Sequence, residues 1–344
     1  MRRSRWLVLG VVAALLVVAG WFFWPRSSSP WEEAIDRLPG SVLKVAYTDW
    51  TAVADEAESE GSPDERVASV FDTGLTVASA LSQSADAMDE NWGITPFDAE
   101  WEAYGQGRDG AVDVLKLGSD VSLDDLEERF EEMGYTAPSD GPGSDGVWTG
   151  TPELVAGLDV PFSTLQENVA VVRDERLLLM ADDPAFLESA VEVASGDGSS
   201  LASSVSGLLS VTEAPAAAFL WAADFACEDL AMSQADTTDA DRADELVSSV
   251  GGVNPLEGLV MAQEPSGDVR VAMAFSSSDA ASEDLQPRTD LASGEAIGQG
   301  GTFPERFEVV DAVADGEVVT LSLEPVDGPL LGDIGQGPVL FATC

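Results

Sequence analysis

The apolar run from Trp6 to Trp24, broken only by Gly10 and Gly20, constrains this chain more than any other feature. It lies between a cluster formed by Arg2, Arg3 and Arg5 and the polar stretch Pro25-Arg26-Ser-Ser-Ser-Pro30. About 18 to 19 apolar residues let one helix cross a hydrocarbon core of roughly 30 Å. The arginines hold the N-terminus in the cytoplasm, and Trp6, Trp21 and Trp24 suit the two interfaces. A cleaved signal peptide is the competing reading, because Val17-Val18-Ala19 loosely fits a small-residue cleavage site. Against it, the run exceeds an ordinary signal core and Trp21-Phe-Phe-Trp24 would leave a very apolar mature end. The expected organisation is a basic stub (1–5), a transmembrane signal-anchor (6–24), a Pro/Ser linker (25–30) and an extracytoplasmic body. The linker would keep that body within about 20 Å of the bilayer.

Past the linker the chain is strongly acidic. The protein has 344 residues, 63 Asp and Glu against 16 Lys and Arg, and no histidine. Such a surface repels nucleic acid phosphate, so nucleic acid is excluded as a partner. Without imidazole, Ser-His-Asp and Cys-His hydrolases and His-ligated zinc or iron sites are excluded too. The two cysteines, Cys227 and the C-terminal Cys344, are too few for a structural zinc or an iron-sulfur cluster. In an oxidising compartment they are expected to form a disulfide.

Hydrophobic periodicity predicts an α+β body of two similar halves, 31–198 and 199–344, with antiparallel sheets covered on one face by helices. In the first half, a helix at 31–37 precedes a strand at Val42–Tyr47, and Asp49 caps a helical stretch that continues past Gly61-Ser-Pro63. Apolar residues from Val67 to Met88 recur there at helical spacing. A hairpin at 100–117 turns through Gly107-Arg-Asp-Gly110. Ser122, with Asp125 three positions on and Gly134 as the stop, brackets a helix. After Val147-Trp148 come a second hairpin at 169–180 and a helix opened by Asp183-Pro184. The second half repeats the order: strand 216–222, helices at 224–232 and 239–250, hairpin 258–275, a helix capped by Ser278, and hairpin 307–323. A short helix near Leu330 comes next, and a strand at Val339–Ala342 closes the chain.

Three patterns carry a resemblance: Leu38-Pro39 ahead of a strand ending near Asp49, Leu179-Met-Ala-Asp-Asp183-Pro, and Ser199-Ser-Leu201-Ala. They resemble bacterial membrane-anchored envelope proteins with a duplicated extracytoplasmic domain of unknown function. The resemblance implies fold and location, and brings no catalytic residues.

Each chemical motif has a structural competitor. Asp72-Thr-Gly74 matches the aspartic-protease triplet and Gly107-Arg-Asp109 its later partner. However, the chemistry needs two such aspartates sharing a proton, and no second Asp-Thr/Ser-Gly exists. Ser41-Val-Leu-Lys44 matches Ser-x-x-Lys without the Lys-Thr-Gly element that accompanies it. In Glu100-Trp-Glu102, strand alternation places Trp101 on one face and both acids on the other. Asp236, Asp239 and Asp241, with the loop Asp140–Gly146, offer oxygen ligands for weak calcium binding. They lack the EF-hand order, and a capping box of Thr238 with Asp241 competes.

These readings lead to an expectation of a non-enzymatic, single-pass interaction or scaffold protein of a bacterial envelope, touching the lipid bilayer through its anchor and an unidentified envelope protein through its body. A carrier or sensor binding an apolar ligand near the membrane is the alternative, and a carboxylate-based hydrolase stands behind it. No catalytic residue and no cofactor is assigned.

Overall fold

The computed structural model describes residues 29–158 and 164–344. The stub and anchor expectation, with Arg2, Arg3, Arg5, Trp6, Trp21 and Trp24, lies outside them. Among the described residues no helix is long and apolar enough to cross a membrane.

The first half contains α1 (Pro30–Asp36), β1 (Val42–Asp49), α2 (Trp50–Glu56), α3 (Pro63–Ser69), α4 (Ala85–Trp92), β2 (Ala99–Gly107), β3 (Ala111–Leu117), α5 (Leu123–Met133), β4 (Val147–Thr149), α6 (Pro152–Gly157), β5 (Asn168–Val172), β6 (Leu177–Ala181) and α7 (Pro184–Ala194). The second contains α8 (Ala202–Leu209), β7 (Ala217–Ala222), α9 (Phe225–Asp229), α10 (Thr237–Ser249), β8 (Gly258–Gln263), β9 (Val269–Ala274), α11 (Ser278–Ala292), β10 (Phe307–Asp315), β11 (Val318–Pro325) and α12 (Leu330–Ile334). Local chemistry sets the ends. The side chains of Asp49, Ser122 and Asp183 accept backbone N–H bonds in the first turns of α2, α5 and α7. Gly134 ends α5 at φ +97°, a conformation costly for any residue with a Cβ.

The eleven described strands form one antiparallel sheet, ordered β10-β11-β9-β8-β7-β1-β2-β3-β6-β5-β4. Read outward from the centre, β1-β2-β3-β6-β5 and β7-β8-β9-β11-β10 are the same order. The expected two sheets are therefore joined: β1 pairs with β7, Lys44 opposite Trp221 and Thr48 opposite Ala217. Because the two central strands are antiparallel, the halves relate by a local twofold normal to the sheet.

Helices lie on both faces rather than one. On one face, α1, α7 and α8 bury Val112, Val114, Leu177 and Leu179 of the first half together with Leu220 and Val260 of the second. On the other, Trp50, Leu81 and Phe130 cover the first half, while α9 to α12 and the C-terminal residues cover the second. Continuous apolar strands such as Leu177–Ala181, wholly buried, require cover on both sides.

Four local expectations are corrected. Residues 67–88 are broken: α3 stops at Ser69, a 3-10 turn spans Phe71–Thr73, and Gly74 at φ +74° turns the chain before α4. An irregular segment lying on a sheet buries residues at spacings that imitate a helix. Ser277, not Ser278, caps α11, its hydroxyl accepting from Ala280 N–H at 3.2 Å. Asp236, not Thr238, caps α10. Leu340–Ala342 is a 3-10 turn and not a closing strand; β10 already holds the sheet edge on that side.

Candidate functional site

The sequence motifs disperse in three dimensions. Asp72 is exposed on its 3-10 turn, and Asp109 is exposed in the β2–β3 turn. Ser41 is exposed just before β1. Lys44 Nζ donates to Asp229 Oδ2 at 2.7 Å, and Trp221 Nε1 donates to the same oxygen at 2.7 Å. Burial pushes the Asp229 carboxyl up, but these two bonds outweigh it and hold it below its usual value. The lysine thus ties β1 to α9 across the two halves. Asp236 accepts the N–H groups of Thr238 and Asp239, and Asp241 is exposed. Asp145, in the other acidic loop, accepts the Arg173 N–H. Among the described residues no three acids are grouped to hold a metal ion. Cys227 and Cys344 form the expected disulfide, Cα to Cα 5.4 Å.

Two arrangements went unread in the sequence. The first is a buried carboxyl pair. Glu102 on β2 stands opposite Leu115, and Asp113 on β3 opposite Tyr104, so the two acids are diagonal neighbours on one face. Both are fully buried. Glu102 is saturated: Trp50 Nε1 and Ser79 Oγ donate to Oε2 at 2.8 and 2.7 Å, and Ala80 N–H donates to Oε1 at 2.6 Å. It pins the irregular segment after Gly74 to the sheet. Neither Asp113 oxygen has a hydrogen-bond partner. Burial, then the neighbouring Glu102, holds its carboxyl well above the ordinary range, softened by the Val114 amide. Burial also raises Glu102, against the pull of its donors. Above the pair, Ser79, Ala80, Ser84, Tyr104, Thr164 and Asp182 help line a cleft of about 440 Å3. Neither carboxyl is among the residues that line it.

The second arrangement is a break in the twofold pattern. In the first half the chain leaving β6 forms α7, whose Phe186, Leu187 and Ala190 seal the outer strands. In the second half the chain leaving β11 crosses to the opposite face. There α12 packs with the C-terminal residues, and the buried guanidinium of Arg288 donates to the Phe341 and Thr343 carbonyls. Asp284 pairs with Arg288 at 3.0 Å, neither side chain more than 2% exposed. The face that α7 would cover is left as a trough of about 590 Å3, bounded by Val211, Glu213, Arg270, Asp311, Val313 and Thr320 among others. Its side chains suit water. Thr320 and Ser322 of β11 lie on the face to which β6 turns Leu177 and Leu179, and Arg270 is engaged by Glu264 at 3.0 Å. Val313, 46% exposed, sits between Asp311 and Asp315 on the same face. Ala214 on the trough's rim holds φ +41°, a strained position for a residue with a Cβ.

The sheet's two edges differ as well. The outer edge of β4 is only three residues long and is closed by mutual backbone bonds between Thr136 and Thr149 at 2.8 and 3.0 Å. β10 spans nine residues, is bulged at Val310 so that its regular edge is Asp311–Asp315, and pairs on one side with β11. Among the described residues, no bridge covers its other side.

No family model and no curated protein matches the chain. Two solved structures align with it at low similarity. "Structure of crystal form I of TP0453" aligns over 90% of this chain and 98% of that one, with TM-score 0.41 and 5% identity. "Structure of crystal form III of TP0453" has the same coverage and identity, with TM-score 0.36.

Proposed function

We propose that this protein is a non-catalytic interaction module of a bacterial envelope, anchored by residues 6–24 with its body outside the cytoplasm, and that it meets its partner through the trough and the free β10 edge. One observation carries this reading: the half that lacks a counterpart of α7 is also the half whose outermost strand is long and unpaired. A free edge strand is a template for another chain unless something blocks it; the bulge at Val310 limits that template to Asp311–Asp315, and this stretch adjoins an open trough. The Cys227–Cys344 disulfide supports an oxidising location. The hydrolase reading loses its best acids, because Glu102 is engaged by three donors and Asp113 is fully buried and does not line the cleft. The apolar-carrier reading has to contend with a sheet whose apolar side chains are already packed by helices on both faces.

The test places a photo-crosslinking residue at Val313, and separately at exposed Asp236 on α10, in the full chain in its own membrane. A discrete adduct from position 313, identified by mass spectrometry and absent from position 236, is expected. Equal labelling from both positions, or none from 313, refutes the surface.

A further inference from the structure

We propose that the occupant of this surface is an extended, basic polypeptide segment that adds to β10 as a further strand. The inference rests on the interaction reading above and narrows it to one chemistry.

The backbone supplies the first part of the argument. An edge strand presents a row of N–H and C=O groups to any chain that can pair with it, and on its outer side β10 offers such a row that no described strand takes up. An added strand would satisfy this row, giving affinity through main-chain bonds and selectivity through alternate side chains. Side chains supply the second part. On the trough side, Asp311, Val313 and Asp315 alternate with Ala312 and Ala314, which pack toward the core of the opposite face. Directly opposed residues of an antiparallel pair lie about 5 Å apart. A strand beside β10 would therefore place its own alternate residues against carboxylate, valine, carboxylate. Among the described residues, Asp311, Asp315 and Glu213 take part in no ion pair, whereas Arg270, the arginine of the trough, is already paired with Glu264. The matching sequence is cationic, apolar, cationic on one face.

Charge also rules on the other occupants. A second copy pairing edge to edge would set Asp311 and Asp315 against like charges, on a chain whose net charge is -47; like charges directly opposed in a sheet destabilise it. An anionic lipid surface is repelled for the same reason. A basic strand meets neither obstacle.

A labelled synthetic peptide whose alternate residues read lysine, valine, lysine on one face, with threonine at the positions between them, tests the proposal, with fluorescence anisotropy against the full chain in nonionic detergent at about 0.15 M salt, where long-range attraction is screened. Two further peptides carry N-methyl groups on the lysine and valine positions or on the intervening threonines. Each blocks one backbone edge and leaves every charge in place. Binding by the parent peptide is expected, with one methylated peptide and the D311N/D315N variant each weakened by at least about tenfold. The double substitution removes only two units from a net charge of -47, so general attraction to an acidic protein stays almost unchanged. Absence of binding, full binding by both methylated peptides, or an unaffected double variant overturns the proposal. If the peptide fails while position 313 still gives a specific adduct in the membrane, the contact surface stands and the added strand falls.

Discussion

Replacing Asp113 by asparagine should make the protein more stable at neutral pH and change how its stability depends on pH. The side chain is wholly inaccessible, its oxygens lack partners, and Glu102 is the nearest acid. Leaving a buried polar group unsatisfied costs about 1–3 kcal/mol. Asparagine keeps the shape, removes the titration and presents a donor on the side of the acceptor Glu102. The raised native value sets the sign. Between the unfolded-state value, near 3.9 for aspartate, and the higher native value, the folded chain binds the extra proton. Stability contributed by this group is thus fully present below the unfolded-state value and falls by about 1.4 kcal/mol per pH unit as pH rises through the window. Glu102, also raised, acts in the same direction in both proteins. The variant and the wild type should therefore be nearly equal at about pH 4, with the variant gaining about 1–3 kcal/mol by pH 7. Urea unfolding monitored by tryptophan fluorescence across that range measures the difference directly. Parallel pH profiles, or a variant less stable than wild type at pH 7, would show that Asp113 is ionised and well solvated in the native state and would refute the argument.

Three other outcomes are expected. Replacing Cys227 and Cys344 together by serine opens a link spanning 117 positions, with an upper cost of about 5 kcal/mol from chain entropy. The measured loss in thermal unfolding should be smaller, because Arg288 still holds the tail carbonyls; no loss at all would mean that the bridge contributes nothing to the fold. Arg288→Met strands the buried Asp284 and should cost about 3–5 kcal/mol, of which the double variant R288M/D284L recovers the part due to the unpaired charge but not the part due to the Phe341, Thr343 and Asn254 groups left without partners; a double variant as unstable as the single one would contradict that account. Asp72→Ala should move stability by no more than about 0.5 kcal/mol, as at an ordinary exposed site, and a larger shift in the same unfolding assay would place Asp72 in a constellation that its exposure does not suggest.

Much of the local structure was legible because short-range chemistry determines it. The Ser122, Asp183 and Asp49 caps and both hairpins of each half lie where turn residues and alternation place them. The pairing of β1 with β7 was not, because contacts between strands about 170 positions apart leave no local trace. Nor did the acids advertise themselves: among 63 Asp and Glu, nothing in composition marks Glu102 and Asp113. The available signal was positional. Asp113 interrupts Val112-Asp-Val-Leu115, a strand too apolar for one solvated face, and an acid in such a strand has no route to water. Arg288 was hidden similarly, inside a helix that reads as a solvated acidic one.

The bare trough could have been read from strand pattern alone. β6 is Leu-Leu-Leu-Met-Ala, apolar on both faces, and must be covered twice. β11 is Val-Val-Thr-Leu-Ser-Leu-Glu-Pro, and from Val319 onward it alternates apolar with polar residues, so one face is made for water. Two strands in equivalent places thus differ in the cover they demand, and the chain after each one supplies that cover or withholds it. Two of the three short sequence patterns have an equally plain physical meaning. Leu38-Pro39-Gly40 and Ser199-Ser-Leu201 meet in space, Gly40 N–H donating to Ser199 at 2.8 Å and Leu201 N–H to Leu38 at 2.9 Å. This clasp joins the approach to β1 with the start of α8, at the seam of the two halves. The resembling residues hold the common frame, while the residues that break the twofold, Asp311, Val313 and Asp315 on a free edge, lie outside all three patterns. Architecture and the proposed contact surface are therefore written in different parts of this chain, and a likeness in the first says nothing about the second.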